Sequence, residues 1–153
     1  MANDMVFPLT FSGVRPGEGT AVRALMTDAG LTVADVDSHK LTHFIVARMG
    51  DEIVGTVGLE PYGKDALLRS LAVAEDHRRQ AIATRLVAAI EKYARSHGTE
   101  VLYLLTMKAG GFFTKQGYRL ADRHTAPADI QSSAEFRTLC PSSAHCLCKR
   151  LAP

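Results

Sequence analysis

A basic segment directly before an amphipathic helix is the part of this sequence best suited to chemistry. The stretch Leu67–Val87 reads LLRSLAVAEDHRRQAIATRLV, in which an apolar strand pattern passes through Arg78 and Arg79 into a helical pattern. The first N–H groups of a helix have no intrahelical partner and carry the positive end of the helix dipole. Such a loop can bind a phosphate group, and the two arginines add positive charge. A solvated basic turn is the alternative interpretation.

A strand, a helix and a second strand are predicted to position this loop. Leu67–Val73 has a strand pattern, and Gln80–His97 has apolar residues at helical spacing. Val101–Leu105 is apolar at every position, which predicts a central strand covered on both faces. Such a unit makes two parallel strands, and it places the helix N-terminus at the carboxyl end of the first strand.

The remaining elements predict a mixed sheet. The other predicted strands are Val6–Ser12, which Pro8 interrupts, then His43–Met49, Glu52–Leu59, a strand beginning at Tyr118, and His145–Leu151. Glu60–Gly63 is predicted to close the hairpin of the second and third strands. The other predicted helices are one ending at Gly30, then Thr32–Asp37, Ala109–Gln116, and one between Pro127 and Leu139. The pattern predicts an α/β fold whose mostly antiparallel sheet has roughly six to seven strands flanked by helices.

The composition excludes several classes of protein. The chain of 153 residues has 46% hydrophobic and 22% charged residues and a net charge of +2, which fits a single domain spanning residues 1–153. Its scattered lysines and arginines argue against a nucleic-acid-binding stripe. No apolar run approaches the ~20 residues of a membrane helix, and the N-terminus does not have a signal-peptide pattern. We therefore expect a soluble cytoplasmic protein that binds neither nucleic acid nor membrane; a homodimer is left open.

Two motifs resemble the GNAT acetyltransferase superfamily. The strand Leu71-Ala72-Val73 and the loop Arg78–Ala83 are similar to the family's L-x-V strand and its R/Q-x-x-G-x-G/A loop. The segment Ala109–Tyr118 is similar to the second family element, A-x-x-F-Y-x-x-x-G-F/Y. The two motifs occur in the family's order, separated by the expected helix and strand, which makes the pair more specific than either motif alone.

The resemblance implies a GNAT-like fold and an N-acetyltransferase that uses acetyl-CoA. In the family, backbone N–H groups of the loop bind the coenzyme A pyrophosphate, and the strand pairs with the pantetheine arm. The residues that the resemblance places at the coenzyme are Leu71, Ala72, Val73, Arg78, Arg79, Gln80, Ala81, Ile82, Ala83, Thr84, Thr106 and Phe113.

Three features depart from the family pattern. Ala81 and Ala83 replace the loop glycines, and they preserve the N–H donors provided that both have an ordinary helical φ. Phe113 stands where many relatives have a tyrosine that protonates the departing thiolate, so we interpret it as an apolar wall. A water molecule or the substrate ammonium would then supply the proton. Thr106 replaces an asparagine and offers a hydroxyl to the pantetheine.

A narrower resemblance covers almost the whole chain. The segments GLEPYG, LLRSLAV, YLLT, GFF and EFRTLCPSSA look like the arsenic-resistance N-acetyltransferases of the ArsN type, over roughly Val22–Leu151. This resemblance implies that the acceptor is a small amine, with an amino-acid-like organoarsenical as one candidate.

The mechanism we expect is direct transfer, in which a neutral amine attacks the thioester and a backbone N–H near Leu71 stabilises the oxyanion. Glu60 is the first candidate for the general base because it is predicted to end the strand beside Leu67–Val73, where it can act through water. An exposed strand-end carboxylate is the alternative. His43 is the second candidate, and a surface histidine is its alternative.

Arg69 and Ser70 precede Leu71, at the level where the acetyl group should lie. On a regular strand their side chains point to opposite faces. An arginine inside LLRSLAV needs an anionic partner, which is either a carboxylate or oxyanion of the acceptor or an internal Asp or Glu. Arg69 is therefore a candidate for substrate binding and Ser70 for catalysis.

The three cysteines, Cys140, Cys146 and Cys148, lie near the C-terminus and make a poor disulfide framework. A thiolate site for arsenic is one interpretation of this cluster, and we favour the other, small buried apolar side chains. No metal site is predicted. Two alternatives to the enzyme remain: a GNAT-fold protein that binds acetyl-CoA with little turnover, and a thiolate-based arsenic-binding protein.

Overall fold

The computed structural model describes residues 8–78 and 81–152. Its strands are β1 (Leu9–Gly13), β2 (Phe44–Met49), β3 (Glu52–Tyr62), β4 (Asp65–Val73), β5 (Val101–Thr106), β6 (Arg119–Leu120) and β7 (His145–Arg150). Its α-helices are α1 (Gly19–Asp28), α2 (Ser38–Leu41), α3 (Ile82–Ser96), α4 (Gly110–Lys115) and α5 (Ala128–Gln131). Short turns of other helical types occupy Glu75–His77, Arg123–Thr125 and Glu135–Leu139.

The strands form a seven-stranded sheet in the order β1-β2-β3-β4-β5-β7-β6. The pairs β1–β2, β2–β3, β5–β7 and β6–β7 are antiparallel, whereas β4 and β5 are parallel. The parallel register runs from Asp65 opposite Val101 to Leu67 opposite Tyr103. The predicted fold class, a mostly antiparallel sheet containing a strand–helix–strand unit, is confirmed.

The residues divide into two compact units. The first unit comprises Met1–Gly58 and Ser70–Ile90, and the second unit comprises Leu59–Arg69 and Glu91–Pro153. The strands β3 and β4 and the helix α3 contribute residues to both units. A single domain over residues 1–153 stays a prediction.

The first unit has an apolar core between α1 and the neighbouring strands. Its buried members are Val22, Met26, Val36, Leu41, Phe44 and Val46. Gly55 of β3 allows α3 to pack closely, because a Cβ at this position would lie 2.8 Å from Cδ1 of Leu86. This close packing fixes the N-terminal part of α3, and with it the end of the basic loop.

The second unit has a separate apolar core. Its buried members are Leu67, Ala126, Ile130, Phe136 and Cys146, with Tyr62, Tyr103, Leu105 and Ala121 packed against them. The core thus joins β4, β5 and β7 to the segment that follows β6. In the described part of the chain, no helix has the length and apolar character needed to cross a bilayer.

One predicted helix and one predicted strand end are wrong, each for a local reason. The helix predicted at Thr32–Asp37 is absent, because the carboxylate of Asp37 accepts the N–H of Lys40 at 2.8 Å and caps α2, which begins only at Ser38. The hairpin does not close at Glu60, since β3 continues through Pro61 to Tyr62. Glu60 therefore lies inside a strand.

Smaller differences concern the ends of the sheet and the tail. The first strand begins at Leu9, after Pro8, and Val6 and Phe7 lie outside the described residues. Burial along β5 alternates instead of covering every residue, because the side chains of Leu102 and Leu104 are buried and their neighbours are half-buried. The helix predicted between Pro127 and Leu139 is two short pieces, α5 and the π-helical turn Glu135–Leu139.

Candidate active site

The loop that follows β4 makes one backbone and one side-chain hydrogen bond to strand carbonyl oxygens. The N–H of Ala74 donates to the carbonyl oxygen of Val54 at 2.8 Å. Arg78 is exposed, and its Nε donates to the carbonyl oxygen of Val73 at 3.2 Å. The predicted coenzyme contacts of Arg79 and Gln80 fall outside the described residues.

Ala81, just before α3, has a left-handed backbone conformation with a φ of 58°. The condition of an ordinary helical φ is therefore not met at Ala81, whereas Ala83 lies in the first turn of α3. A left-handed alanine costs about 1–2 kcal/mol relative to the right-handed conformation, so this position suits a glycine. Ile82 is buried beneath the turn, and Ala81 and Thr84 are exposed.

Ser70 interrupts the regular geometry of β4. Its φ is 61°, although it lies within a strand and its side chain is buried. Arg69 and Ser70 are both buried, and the expectation that their side chains point to opposite faces stays a prediction. Leu71 and Val73 are half-buried and Ala72 is buried. Strained backbone of this kind occurs frequently at functional sites.

Arg69 is an internal ion-pair partner of two carboxylates. Its Nη1 donates to Oε2 of Glu60 at 2.6 Å, and its Nε lies 3.3 Å from Oε2 of Glu135. The Arg69 side chain is 0% exposed, and those of Glu60 and Glu135 are 8% and 12% exposed. The internal partner that the sequence analysis gave as one alternative is therefore present.

Glu60 is buried in β3 and both of its carboxylate oxygens are engaged. Oε2 accepts from Arg69, and Oε1 accepts the hydroxyl of Tyr62 at 2.6 Å. Burial, together with this hydrogen bond to Glu60, raises the pKa of Tyr62 well above its usual range, so Tyr62 stays protonated and donates. The alternative interpretation of Glu60, an exposed carboxylate at the end of a strand, is therefore wrong.

Phe113 lies on α4 and is buried. Its ring makes edge contacts with the rings of Phe112 and Tyr118, with centroid distances of 5.2 Å and 5.3 Å. Thr106 has a local role, because its Oγ1 accepts the N–H of Ala109 at 2.9 Å and so shapes the turn into α4. The predicted contacts of Phe113 and Thr106 with the coenzyme stay predictions.

Tyr118 is the tyrosine next to Phe113 in space, and its hydroxyl is already engaged. Its hydroxyl donates to Oε2 of Glu91 at 2.8 Å, and the side chain is buried. Burial and the nearby Glu91 raise the pKa of Tyr118. A phenol in this environment holds its proton and donates a hydrogen bond to Glu91.

His43 is half-buried just before β2, and its backbone N–H donates to the carbonyl oxygen of Lys40 at 3.2 Å. Its candidate role as a second base stays a prediction.

Among the three cysteines, Cys146 and Cys148 lie on β7 and Cys140 lies before it. Cys146 is buried in the core of the second unit, where burial and the neighbouring Cys148 raise the pKa of its thiol to about 11. Cys146 and Cys148 lie opposite Leu105 and Tyr103 in the sheet register, two residues apart on β7. Across residues 8–78 and 81–152, no three His, Cys, Asp or Glu side chains are grouped to hold a metal ion.

The sequence analysis did not identify Glu135 or Glu91. Glu135 gave no local signal, because its partner Arg69 is distant in the sequence. Glu91 did give one: it lies four residues after Val87 and three before Ala94, both buried, so it belongs to the buried face of α3. A carboxylate on such a face requires a polar partner.

The comparisons with known proteins agree with this architecture. Residues 18–118 match the model of the acetyltransferase (GNAT) family. The chain is 29% identical to an uncharacterized N-acetyltransferase of Chlorobaculum tepidum over 84% of this chain and 79% of that protein. It is 34% identical to N-acetyltransferase 8B of Rattus norvegicus over 67% of this chain and 50% of that protein.

Solved structures share the fold at low sequence identity. The N-acetylglutamate synthase of Neisseria gonorrhoeae, complexed with coenzyme A and N-acetyl-glutamate, superposes with a TM-score of 0.84 at 18% identity over 95% of this chain. This chain spans 36% of the synthase. The PaiA N-acetyltransferase of Thermoplasma acidophilum, complexed with coenzyme A, gives a TM-score of 0.70 at 13% identity over 94% of this chain and 99% of that one. The family match, which covers the L-x-V strand, the loop and α4 together, shows that this chain belongs to the acetyltransferase (GNAT) family.

Proposed function

We propose that this chain transfers the acetyl group of acetyl-CoA to the nitrogen of a small amine. The observation that carries the proposal is the left-handed turn at Ala81, directly before α3. Successive backbone N–H groups in such a turn converge into an anion-binding concavity, and the first N–H groups of a helix have no intrahelical partners. We expect the N–H groups of residues 81–84 to hold the diphosphate of the coenzyme.

A matched pair of variants tests the loop. Ala81→Asp and Ala81→Asn have nearly the same size, and both side chains tolerate a left-handed backbone. The aspartate adds a negative charge where a diphosphate would lie, so calorimetry should show at least a roughly tenfold weaker affinity for acetyl-CoA than in the asparagine variant. Equal affinities in the two variants would place the diphosphate elsewhere. A wild-type chain that gives no heat with acetyl-CoA would remove the enzymatic proposal.

We propose that Leu71 supplies the N–H that stabilises the oxyanion, and that Ser70 contributes through its backbone. The φ of 61° at Ser70 reorients the chain directly before Leu71, which supports this assignment. Ser70→Gly removes the hydroxyl and tolerates the same φ. We expect it to retain kcat within about threefold, because a change below about 1 kcal/mol is within the range of ordinary substitutions. A loss of a hundredfold would show that the hydroxyl itself takes part.

Glu60 is the base that we propose, acting through water on the acceptor amine, with His43 as the second candidate. The contact with Arg69 supports the assignment, because it holds the carboxylate in one position within β3. In this proposal Arg69 acts on the acceptor indirectly, by positioning Glu60. Direct contact of Arg69 with a carboxylate of the acceptor is a separate proposal. Glu60→Gln preserves the acceptor oxygen for Tyr62 and should lower kcat/KM at neutral pH by about a hundredfold or more. Unchanged kcat/KM would contradict Glu60 as the base and leave His43 as the candidate.

For the acceptor, we propose an amino-acid-like amine, with organoarsenicals of this type as specific candidates. The resemblance of the whole chain to ArsN-type enzymes supports the arsenical, and the complex of the synthase with N-acetyl-glutamate supports an amino-acid-like acceptor. The experiment is to measure thiol release from acetyl-CoA with a panel of amino acids, polyamines and amino-acid-like organoarsenicals. A cytoplasmic location and a homodimer stay predictions.

A binding protein with little turnover is the second candidate, and Phe113 is the observation that favours it. A phenylalanine cannot protonate the departing thiolate. Such a protein would melt at a higher temperature with acetyl-CoA yet release no coenzyme A above background with any amine. The raised pKa of Cys146 argues against a thiolate-based arsenic carrier, which would lose arsenite binding when Cys146 and Cys148 are changed to serine.

A further inference from the structure

A buried polar network joins the end of α4 to α3 and β7. The hydroxyl of Tyr118 donates to Oε2 of Glu91 at 2.8 Å, and Nζ of Lys149 donates to both oxygens of Glu91 at 3.1 Å. The side chain of Glu91 is 9% exposed and that of Lys149 is 27% exposed. One carboxylate thus holds a phenol and an ammonium from two other parts of the second unit.

Lys149 also binds the end of α4 directly. Its Nζ donates to the carbonyl oxygen of Gln116, the C-cap residue of α4, at 2.8 Å. A positive charge at this end of a helix satisfies an otherwise unpaired carbonyl and opposes the helix dipole favourably. The same ammonium lies 5.4 Å from the centre of the Tyr118 ring.

Gly117 allows this arrangement. Its φ is 96°, and a Cβ there would lie 3.3 Å from Cε of Lys149. A larger residue would therefore be strained in its backbone and would also push the lysine away. The chain reversal after α4 and the position of Lys149 depend on each other.

Phe113 is connected to this network through Tyr118. The N–H of Tyr118 donates to the carbonyl oxygen of Phe113 at 3.0 Å, and the two rings are in edge contact. The helix α4 has six residues, too few to be stable by itself. Its position, and that of Phe113, must therefore come from contacts outside the helix.

We infer that Glu91 and Lys149 are positioning residues that fix Phe113 for the acetyl transfer. The inference rests on the proposed function, in which Phe113 forms an apolar wall beside the thioester. Neither residue needs to touch the coenzyme. Each acts through Tyr118 and the end of α4, and the raised pKa of Tyr118 keeps its hydroxyl a donor.

The test compares Lys149→Met with Lys92→Met. Methionine is close to lysine in length but removes the charge, and Lys92 is the exposed neighbour of Glu91 on α3. Displacing a reacting arrangement by about 1 Å can cost about a hundredfold in rate, so we expect Lys149→Met to lose roughly tenfold in kcat. Its calorimetric affinity for acetyl-CoA should stay within about threefold, because the diphosphate loop is a separate segment. Lys92→Met should match the wild type in both.

Hydrogen exchange supplies a readout that does not require turnover. The amide of Tyr118 should exchange roughly tenfold faster in Lys149→Met, since its hydrogen bond to Phe113 opens more often. If Lys149→Met does not fold, Glu91→Gln is measured in the same way and should show the same changes, because glutamine replaces one of the two acceptor oxygens by an NH2 group that cannot accept from Lys149.

Faster exchange together with lower kcat and unchanged affinity supports the inference. Unchanged kcat, or an affinity that falls in parallel with kcat, overturns it. The proposed function fails separately, through the absence of acetyl-CoA binding in the wild-type chain. In that case the exchange rates still show whether Lys149 and Glu91 fix α4.

Discussion

Among the described residues, Arg48 in the first unit and Arg69 in the second are buried arginines on strands, and the two are neutralised in different ways. In the first unit, Arg48 of β2 donates to Glu18, to Oγ of Ser12 and, at 2.8 Å, to the carbonyl oxygen of Gly13. In the second unit, Arg69 has two carboxylate partners, Glu60 and Glu135.

The two arginines differ in the number of their carboxylate partners and in how far those partners are exposed. Arg48 ties the turn between β1 and α1 to the sheet with one carboxylate and neutral oxygens, and that carboxylate is 18% exposed. The candidate groups of the first unit include backbone groups at Ser70, Leu71 and Ala81 as well as the side chain of His43. The second unit concentrates carboxylates around Arg69, and its candidate groups are side chains.

The largest expected effect comes from removing Arg69. Arg69→Met leaves two buried carboxylates without a cation, and losing one partner of a buried ion pair typically costs about 3–5 kcal/mol. Arg48→Met should cost less, about 1–3 kcal/mol, because it leaves one carboxylate that can reach water. Urea unfolding at neutral pH measures both. Adding Glu60→Gln and Glu135→Gln to Arg69→Met should recover part of the loss, and equal losses for the two arginine variants would contradict the comparison.

In both units a buried hydroxyl lacks a hydrogen-bond partner, and removing it should raise the free energy of unfolding by less than the arginine variants lower it. Among the described residues, Oγ1 of Thr56 in the first unit and Oγ1 of Thr99 in the second are buried without a hydrogen-bond partner. Valine has the same shape without the hydroxyl, so Thr56→Val and Thr99→Val should each raise the free energy of unfolding by about 1 kcal/mol. Exposed Thr10 on β1 is the control, and Thr10→Val should leave stability unchanged within about 0.5 kcal/mol. A loss of stability in Thr56→Val would mean that its hydroxyl is hydrogen-bonded in solution.

The backbone of the first unit can be tested by two glycine substitutions of opposite sign. Ala81→Gly relieves a left-handed alanine and should stabilise the chain by about 0.5–1 kcal/mol, after the greater entropy of glycine in the unfolded chain is counted. Ala83→Gly lies in the first turn of α3 and should destabilise it by about 0.5–1 kcal/mol. Thermal unfolding measures the stability change in each variant. Changes in the same direction for both variants would contradict the left-handed conformation of Ala81.

The smallest expected effect is a pH dependence in the first unit. The hydrogen bond from Arg48 lowers the pKa of Glu18 below 4.5, so the folded chain binds this proton more weakly than the unfolded chain. The resulting stabilisation is present above about pH 4.5 and is lost as the pH falls through the lower, folded value. Because Glu18 is partly exposed, we expect a contribution below about 1 kcal/mol. The decline in unfolding free energy between about pH 5 and pH 3 should be shallower in Arg48→Met, and identical slopes would show that the pair adds nothing.

Much of the fold was predictable because its signals are local. The apolar stripe of α3, the strand pattern ending at Val73 and the positions of the two motifs gave the sheet class and the parallel pair. The errors occurred where a side chain overrode the pattern. Asp37 caps a helix that begins after it instead of ending one.

For the candidate site, the sequence identified individual residues but not their partners or their backbone angles. Arg69 was identified from the sequence as needing an anion, but the sequence could not choose between Glu135 and an acceptor, because residues 69 and 135 are 66 positions apart and no local rule connects them. Ala81 was identified as a departure from the glycine pattern, and only the backbone angle showed that the glycine conformation is retained.

The sequence by itself determined the family and the sheet class, and it predicted the loop proposed to bind a diphosphate, since periodicity and motif spacing act over a few residues. The tertiary structure decided which buried charges meet: Arg69 with Glu60 and Glu135, and Lys149 with Glu91. The physical reason is that a buried charge must find its partner in three dimensions, and the energy of that pairing depends on distance and burial, which a linear pattern does not contain.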